Sequence, residues 1–269
     1  MSTLSKGAAL ITGASSGIGA IYAQRLARRG HDLILVARSR DKLDTLARRI
    51  SDETGRSVEV IPADLSDKAD LARIEEVLRN DQSIGVLVNN AGLGATAPLL
   101  SSDIGKMEEM LALNVNALMR LTYAAAPGFV ARGRGTIINI SSIVAIGPEV
   151  LNGVYGGSKA FVLAFSQSLH HELSEKGVTV QAVLPGATAT DFWGVAGTPL
   201  EHLPAEIVMS AEDMVDAALA GLDQGELVTI PALPDLADWQ AYEAARQKML
   251  PNLSRTLPAD RYKVVSKAA

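Results

Sequence analysis

The sequence has no cysteine among its 269 residues. That excludes a disulfide framework, cysteine-ligated zinc, iron–sulfur clusters and thiol nucleophiles. Aromatic residues are scarce, at 4%, so aliphatic side chains must build the core. Gly, Ser, Asn or a charge breaks every apolar stretch before the ~18–20 residues that a membrane span needs. Positive charge is not in excess: Lys+Arg number 25 against Asp+Glu 30, a formal net charge of −5. Such a chain has no overall attraction to nucleic acid or to an anionic membrane. A secretory leader is not expected either. Lys6 precedes an apolar run, but Thr12, Gly13, Ser15, Ser16 and Gly17 interrupt it and an amphipathic pattern follows. The expectation is a cytoplasmic protein with no metal site, no nucleic-acid partner and no membrane partner.

What the chain does contain is alternation. Short β-branched runs are predicted as strands at Ala8–Thr12, Asp32–Ala37, Val58–Pro62, Val86–Asn89, Thr136–Ile140, Val178–Leu184 and Leu227–Ile230. Helical patterns lie between them, near 18–30, 41–54, 67–80, 103–131, 153–176 and 211–223. Several end at glycine (Gly30, Gly55, Gly177), which accepts the left-handed cap conformation. Strands that lack polar alternation suit a sheet covered on both faces by helices. The chain is therefore read as α/β: one doubly wound Rossmann-type domain over 1–269, with a seven-stranded, mostly parallel sheet. Two segments break the rhythm, a connection at 187–210 and a proline-punctuated extension at 231–269. Connections of that length are commonly functional.

The first strand runs into Thr12-Gly13-Ala14-Ser15-Ser16-Gly17-Ile18-Gly19, and a helix follows. Glycines there let the backbone approach a pyrophosphate, and the helix N-terminus offers free N–H groups. The spacing is Gly-x3-Gly-x-Gly. The same residues also match a G-x-S-x-G nucleophile elbow with Ser15 as nucleophile. That motif belongs on an interior strand, and none of His31, His170, His171 and His202 is an obvious base. The second strand ends in Val36-Ala37-Arg38-Ser39-Arg40, without the acid that holds a ribose 2′-hydroxyl. Arg38, with Arg40 assisting, suits a 2′-phosphate instead, so the expected cofactor is NADP(H).

Tyr155 and Lys159 are spaced i, i+4 on one helix face. A nearby lysine cation favours phenolate, which would bring the tyrosine towards neutral pH as an acid–base group. Ser141-Ser142 follows the fifth predicted strand and Asn89-Asn90-Ala91-Gly92 ends the fourth, on the sheet edge where such folds bind ligands.

Together these motifs resemble the short-chain dehydrogenase/reductase family, from the first strand to about residue 190. In order they are Thr12–Gly19, Asp64-Leu65, Asn89–Gly92, Asn114, Ser142, Tyr155/Lys159 and Pro185-Gly186. The resemblance implies Ser142 as the catalytic serine, since it stands at the family's usual separation from Tyr155. It implies Tyr155 as the acid in reduction and the base in oxidation. Lys159 would bind the nicotinamide ribose and tune Tyr155, and Asn114 would hold a proton-path water. Gly13, Ser15, Ser16, Gly17, Ile18 and Gly19 would cradle the pyrophosphate. Asp64 and Leu65 would meet the adenine, and Asn89, Ala91 and Gly92 the adenosine ribose side. Pro185 and Gly186 would meet the nicotinamide face, and Thr188 or, better, Thr190 its carboxamide.

The implied reaction is hydride transfer between NADP(H) and a carbonyl or alcohol substrate. Ile143, Val144, Leu151, Phe192 and Trp193 could line an apolar pocket for a hydrophobic carbonyl. The two aromatics could equally pack their loop onto the body. The extension beyond Ile230-Pro231 departs from a typical ketoacyl reductase of fatty-acid synthesis. Family members pair through the helices at 103–131 and 153–176, so a homodimer or homotetramer is expected. The alternative on the same fold is a non-catalytic NADP(H)-binding sensor or scaffold.

Overall fold

In the computed structural model, which describes residues 6–262, the apolar runs become strands of one sheet. β1 is Ala8–Thr12, β2 Asp32–Ala37, β3 Val58–Pro62, β4 Ile84–Asn89, β5 Gly135–Ile140, β6 Val178–Val183 and β7 Val228–Thr229. Their order is β3-β2-β1-β4-β5-β6-β7, and every neighbouring pair is parallel. The sheet is thus parallel throughout, because each strand is reached by a crossover.

The helices are α1 Gly17–Arg28, α2 Arg40–Thr54, α3 Lys68–Asn80, α4 Ile104–Leu111, α5 Leu118–Ala131, α6 Gly153–Leu173, α7 Phe192–Ala196, α8 Ala211–Asp223 and α9 Leu236–Met249. Successive strand residues point to opposite faces. Leu10, Ile34 and Leu87 accordingly join one core with Leu71, Ile74 and Phe129. Ile11, Leu33 and Leu35 join a second core with Tyr22, Leu26 and Met214.

The helical pattern at 103–131 is not one continuous α-helix. A π-helical segment, Ala112–Ala117, separates α4 from α5. Asn114 sits in that segment with its amide fully engaged, and widened turns of this kind often mark functional sites.

Where the sequence was read as one domain with an extension, the chain divides into two compact units, Met1–Ala232 and Leu233–Ala269. α9 accounts for this, because none of its 14 residues is buried. The last seven positions of the predicted extension lie outside the described residues. Among the described residues, no helix is long and apolar enough to cross a membrane.

Candidate active site

Strand order reverses between β1 and β4, and a crevice opens at the carboxyl ends of such a pair. The turn after β1 is held tight there. Gly13 and Gly17 have φ of +64° and +52°, in the left-handed region. A Cβ on Gly13 would fall 2.8 Å from Asn90 Nδ2 and 2.9 Å from Ala91 Cα. Asn90 Nδ2 donates to Thr12 O (2.9 Å) and Gly13 O (3.1 Å), and Thr12 Oγ1 accepts from the Asn90 and Ala91 amides, both at 3.0 Å. Asn90 therefore staples the two crevice turns together.

A cleft of about 1320 Å³ starts at this turn. Gly13, Ser15, Ser16, Gly17 and Ile18 line one part of it, and Asp64, Leu65, Ala91 and Gly92 another. Ser16 caps α1 without a side-chain hydrogen bond, and the first turn carries no acid, so its N–H groups remain available to an anion. At the outer end Arg38, Ser39 and Lys42 contribute to the wall. An uncapped helix N-terminus beside a tight glycine turn, with two cations at the far end, fits a phosphorylated dinucleotide.

The other end of the cleft holds Ser142, Tyr155 and Lys159. Asn152 caps α6, its Oδ1 accepting from the amides of Val154 (2.9 Å) and Tyr155 (3.3 Å), while its Nδ2 donates to Ala97 O at 2.6 Å. One buried amide thus fixes both the backbone of Tyr155 and the loop after β4. Ser142 Oγ donates to Pro185 O at 3.4 Å, and its hydroxyl acts on the Tyr155 phenol. Ser141 instead donates to Lys159 O at 2.8 Å, anchoring α6 to the end of β5.

Lys159 Nζ donates to Ile140 O at 2.9 Å and lies 5.9 Å from the Tyr155 ring centroid. Burial lowers its pKa to about 8. Burial also raises the Tyr155 phenol to about 12, with the Ser142 hydrogen bond acting in the opposite direction. Spacing alone predicts that the lysine lowers the tyrosine. In the protein alone, loss of solvent around the phenol is the largest cause, and the opposing one is Ser142, not Lys159.

Three of the site residues implied by the family resemblance do not line the cleft. Asn89, the last residue of β4, turns its amide into the core and donates to Thr122 Oγ1 (3.0 Å) and Asn139 Oδ1 (2.9 Å). Gly19 packs under the turn, where a Cβ would collide with Gly13 O. Asn114 pairs with the backbone of Leu93, accepting from its N–H and donating to its carbonyl, both at 2.8 Å, and also donates to Ser158 Oγ at 3.2 Å. It still borders the site: a Cβ on Gly92 would sit 3.1 Å from Asn114 Oδ1 and 3.6 Å from Lys159 Nζ.

Pro185, Gly186, Thr188 and Thr190 all line the cleft. Thr188 Oγ1 donates to Gly186 O at 3.2 Å, and the Thr190 methyl abuts Gly17. Arg40 is not among the lining residues. Neither is any histidine of the described chain, so Ser15 has no base beside it. Lys42 and Asn152 are functional positions outside the sequence motifs, and Asn90 lies within one of them but with no role of its own assigned there. Of Lys42 and Asn152, only Asn152 carried a signal, as an N-cap residue immediately before a helical pattern.

Comparison with known proteins agrees with this geometry. The short chain dehydrogenase family model matches residues 7–199, and the chain belongs to the short-chain dehydrogenase/reductase family. Among solved structures it is similar to a short-chain dehydrogenase from Sphingobium yanoikuyae in complex with NADPH. The identity is 50% and the TM-score 0.92, covering 95% of this chain and 99% of that one. It is also similar to the bulky-bulky ketone specific alcohol dehydrogenase from Comamonas testosteroni. There the identity is 44% and the TM-score 0.89, covering 96% and 99% of the two chains. A curated relative, the very-long-chain 3-oxoacyl-CoA reductase of Anas platyrhynchos, is 39% identical over 187 residues. That match spans 68% of this chain and 60% of the relative's length.

Proposed function

We propose that this chain is an NADP(H)-dependent carbonyl reductase or alcohol dehydrogenase acting on a hydrophobic ketone or aldehyde. The observation that carries the reading is one cleft with Ser142, Tyr155 and Lys159 at one end and Arg38 with Lys42 at the other. Two solved relatives are described with NADPH or as ketone-specific, which supports it.

The mechanism follows from the residues. Bound in the cleft, NADP(H) supplies or accepts a hydride. The Ser142 hydroxyl donates to the substrate carbonyl oxygen and holds it beside the Tyr155 hydroxyl. Donors aimed at that oxygen stabilise the negative charge that develops on it. Tyr155 then gives up its phenolic proton to the alkoxide, and in the oxidative direction takes one from the alcohol. Lys159 supplies positive charge beneath the phenol, favouring the phenolate that remains. Asn114 and Asn152 keep the backbone on either side in register. Arg38 and Lys42 pair with a 2′-phosphate, which selects NADP(H) over NAD(H).

The test is titration with NADPH and NADH, followed by NADPH absorbance loss with hydrophobic ketones, in wild type and Tyr155→Phe. The expected result is tighter NADPH binding and turnover that the substitution abolishes. NADPH binding without turnover of any carbonyl would move the chain to the sensor or scaffold class.

A homo-oligomer and a cytoplasmic location belong to the same proposal. Exposed Tyr123 on α5 stacks on Phe165 of α6, and Phe161 stacks on Phe165, which gives an aromatic face for a second copy. Light scattering on the purified chain tests the first and cell fractionation the second.

A further inference from the structure

The short helix α7 stands directly over the acid–base tyrosine. The Phe192 ring centroid lies 5.9 Å from that of Tyr155, tilted by 44°. Phe192 packs on the small apolar cluster containing Val144, Met107 and Met110, together with Leu151. Its position is fixed at both ends of α7. Trp193 Nε1 donates to Thr188 O at 3.0 Å, and the indole meets the Phe192 ring edge-on at 5.7 Å. Ala196 O accepts from both Thr96 N (3.1 Å) and Thr96 Oγ1 (3.0 Å), and Thr198 Oγ1 donates to Thr96 Oγ1 at 3.0 Å.

The ring tip also occupies space that a side chain would normally take. A Cβ built on Gly94 would lie 2.6 Å from Phe192 Cε2 and 2.9 Å from Cε1, and closer still to Cζ. Gly94 has no positive φ that would demand glycine for the backbone's sake. Its missing side chain serves the ring.

We propose that Phe192, seated on Gly94, is the residue that limits the size of the inner substituent of the carbonyl substrate. The inference rests on the functional reading above. The substrate oxygen must lie between Ser142 and Tyr155, so its carbon carries one group towards the cleft mouth and one towards Phe192. The mouth is open, bordered by the exposed side chains of Val150, Val195 and Ile207. The inner side ends at the Phe192 ring. A carbonyl with one large and one small group fits this arrangement, and the small group faces Phe192. Removing the ring enlarges the inner pocket, and filling its seat with a methyl displaces the ring that bounds it. The ring tip is the free end of a side chain, so Gly94→Ala displaces it without moving backbone.

The experiment compares kcat/KM for acetophenone and benzophenone, which differ by replacement of methyl with phenyl, at saturating NADPH. Phe192→Ala is expected to raise the benzophenone-to-acetophenone ratio about tenfold or more, the scale on which pocket-filling groups discriminate. Gly94→Ala, which displaces the ring without removing it, is expected to change the ratio by a smaller factor. NADPH affinity should stay within about twofold of wild type in both, since neither residue borders the glycine turn. In a Trp239→Phe background, the Trp193 emission of Gly94→Ala should differ from its parent, reporting the displaced ring. A ratio unchanged by Phe192→Ala in an active enzyme would overturn the inference and leave the functional reading standing. An unchanged ratio with unchanged Trp193 emission in Gly94→Ala would overturn the seat. Wild type that binds NADPH but turns over no ketone would remove the functional reading and this inference together.

Discussion

Replacing Lys159 with methionine should abolish turnover and make the protein more stable at neutral pH. The side chain is buried and its ammonium has one protein partner in the structure, Ile140 O at 2.9 Å. Burial lowers its pKa from 10.5 to about 8. At about 1.36 kcal/mol per pKa unit, carrying that buried proton costs the folded state roughly 3 kcal/mol. At pH 7 the lysine is protonated folded and unfolded, so the cost applies in full. Between pH 8 and 10.5 the unfolded chain still binds the proton while the folded chain releases it. Wild-type stability therefore gains with pH across that window from this residue. Methionine has similar length and no charge, but it leaves the Ile140 carbonyl unpaired, which costs about 1 kcal/mol. The net expectation at pH 7 is a stabilisation of ~2 kcal/mol, or roughly 4–8 °C in Tm for a unit of this size. Thermal melts of both proteins from pH 7 to pH 10 should show the difference shrinking as pH rises. A destabilised Lys159→Met at pH 7, or a gap that does not narrow with pH, would refute the reasoning.

Asn152→Asp keeps the cap on α6 but cannot donate to Ala97 O. It should melt within a few degrees of wild type while kcat/KM falls, and the alkaline limb of kcat should move to higher pH because a negative charge now sits beside the buried Tyr155 backbone, one turn below its phenol. Asn114→Ala leaves the part-buried N–H and C=O of Leu93 without their partner and should cost ~2–6 kcal/mol in chemical denaturation, at about 1–3 kcal/mol per group; a change below about 0.5 kcal/mol would show that water replaces the amide. Arg38→Ala should weaken NADPH binding by about tenfold or more and leave NADH nearly unchanged, as befits loss of one charge-assisted contact. The same substitution combined with Lys42→Ala should remove what preference remains, measured by titration.

Most strands were legible because they are buried on both faces, so continuous β-branched runs mark them directly; the edge strand β3, only partly buried, still shows as a Val-rich run. β1, β2 and β3 fall at their predicted bounds, and the remaining four differ by one or two residues at their ends. The π-helical turn at Asn114 was not legible, because a widened turn leaves no periodic signature in six residues. α9 lies in the segment read as a proline-punctuated extension, and no helix was placed there because a helix with no buried face has no apolar stripe to betray it. Most cleft residues were legible through spacing. Asn89 and Asn90 show the limit: the sequence places both at a strand end, but a one-residue difference reverses the face. Asn90 meets the crevice and Asn89 the core. Lys42 was missed because its role depends on where the first turn of α2 brings it, which a lone surface lysine does not reveal.

The amide of Asn89 belongs to a chain of hydrogen bonds that runs from Thr122 on α5 through Asn139 on β5 to Ser166 on α6. None of these groups touches the cleft, yet they lock α6 lengthwise against the sheet. Sliding that helix by one residue, about 1.5 Å, would break the link between Asn139 and Ser166. Tyr155 and Lys159 ride on the same helix, so their depth in the cleft is set from behind, by groups that never meet a ligand. The loops at the rim are then free to diverge towards new substrates while the acid–base pair keeps its place.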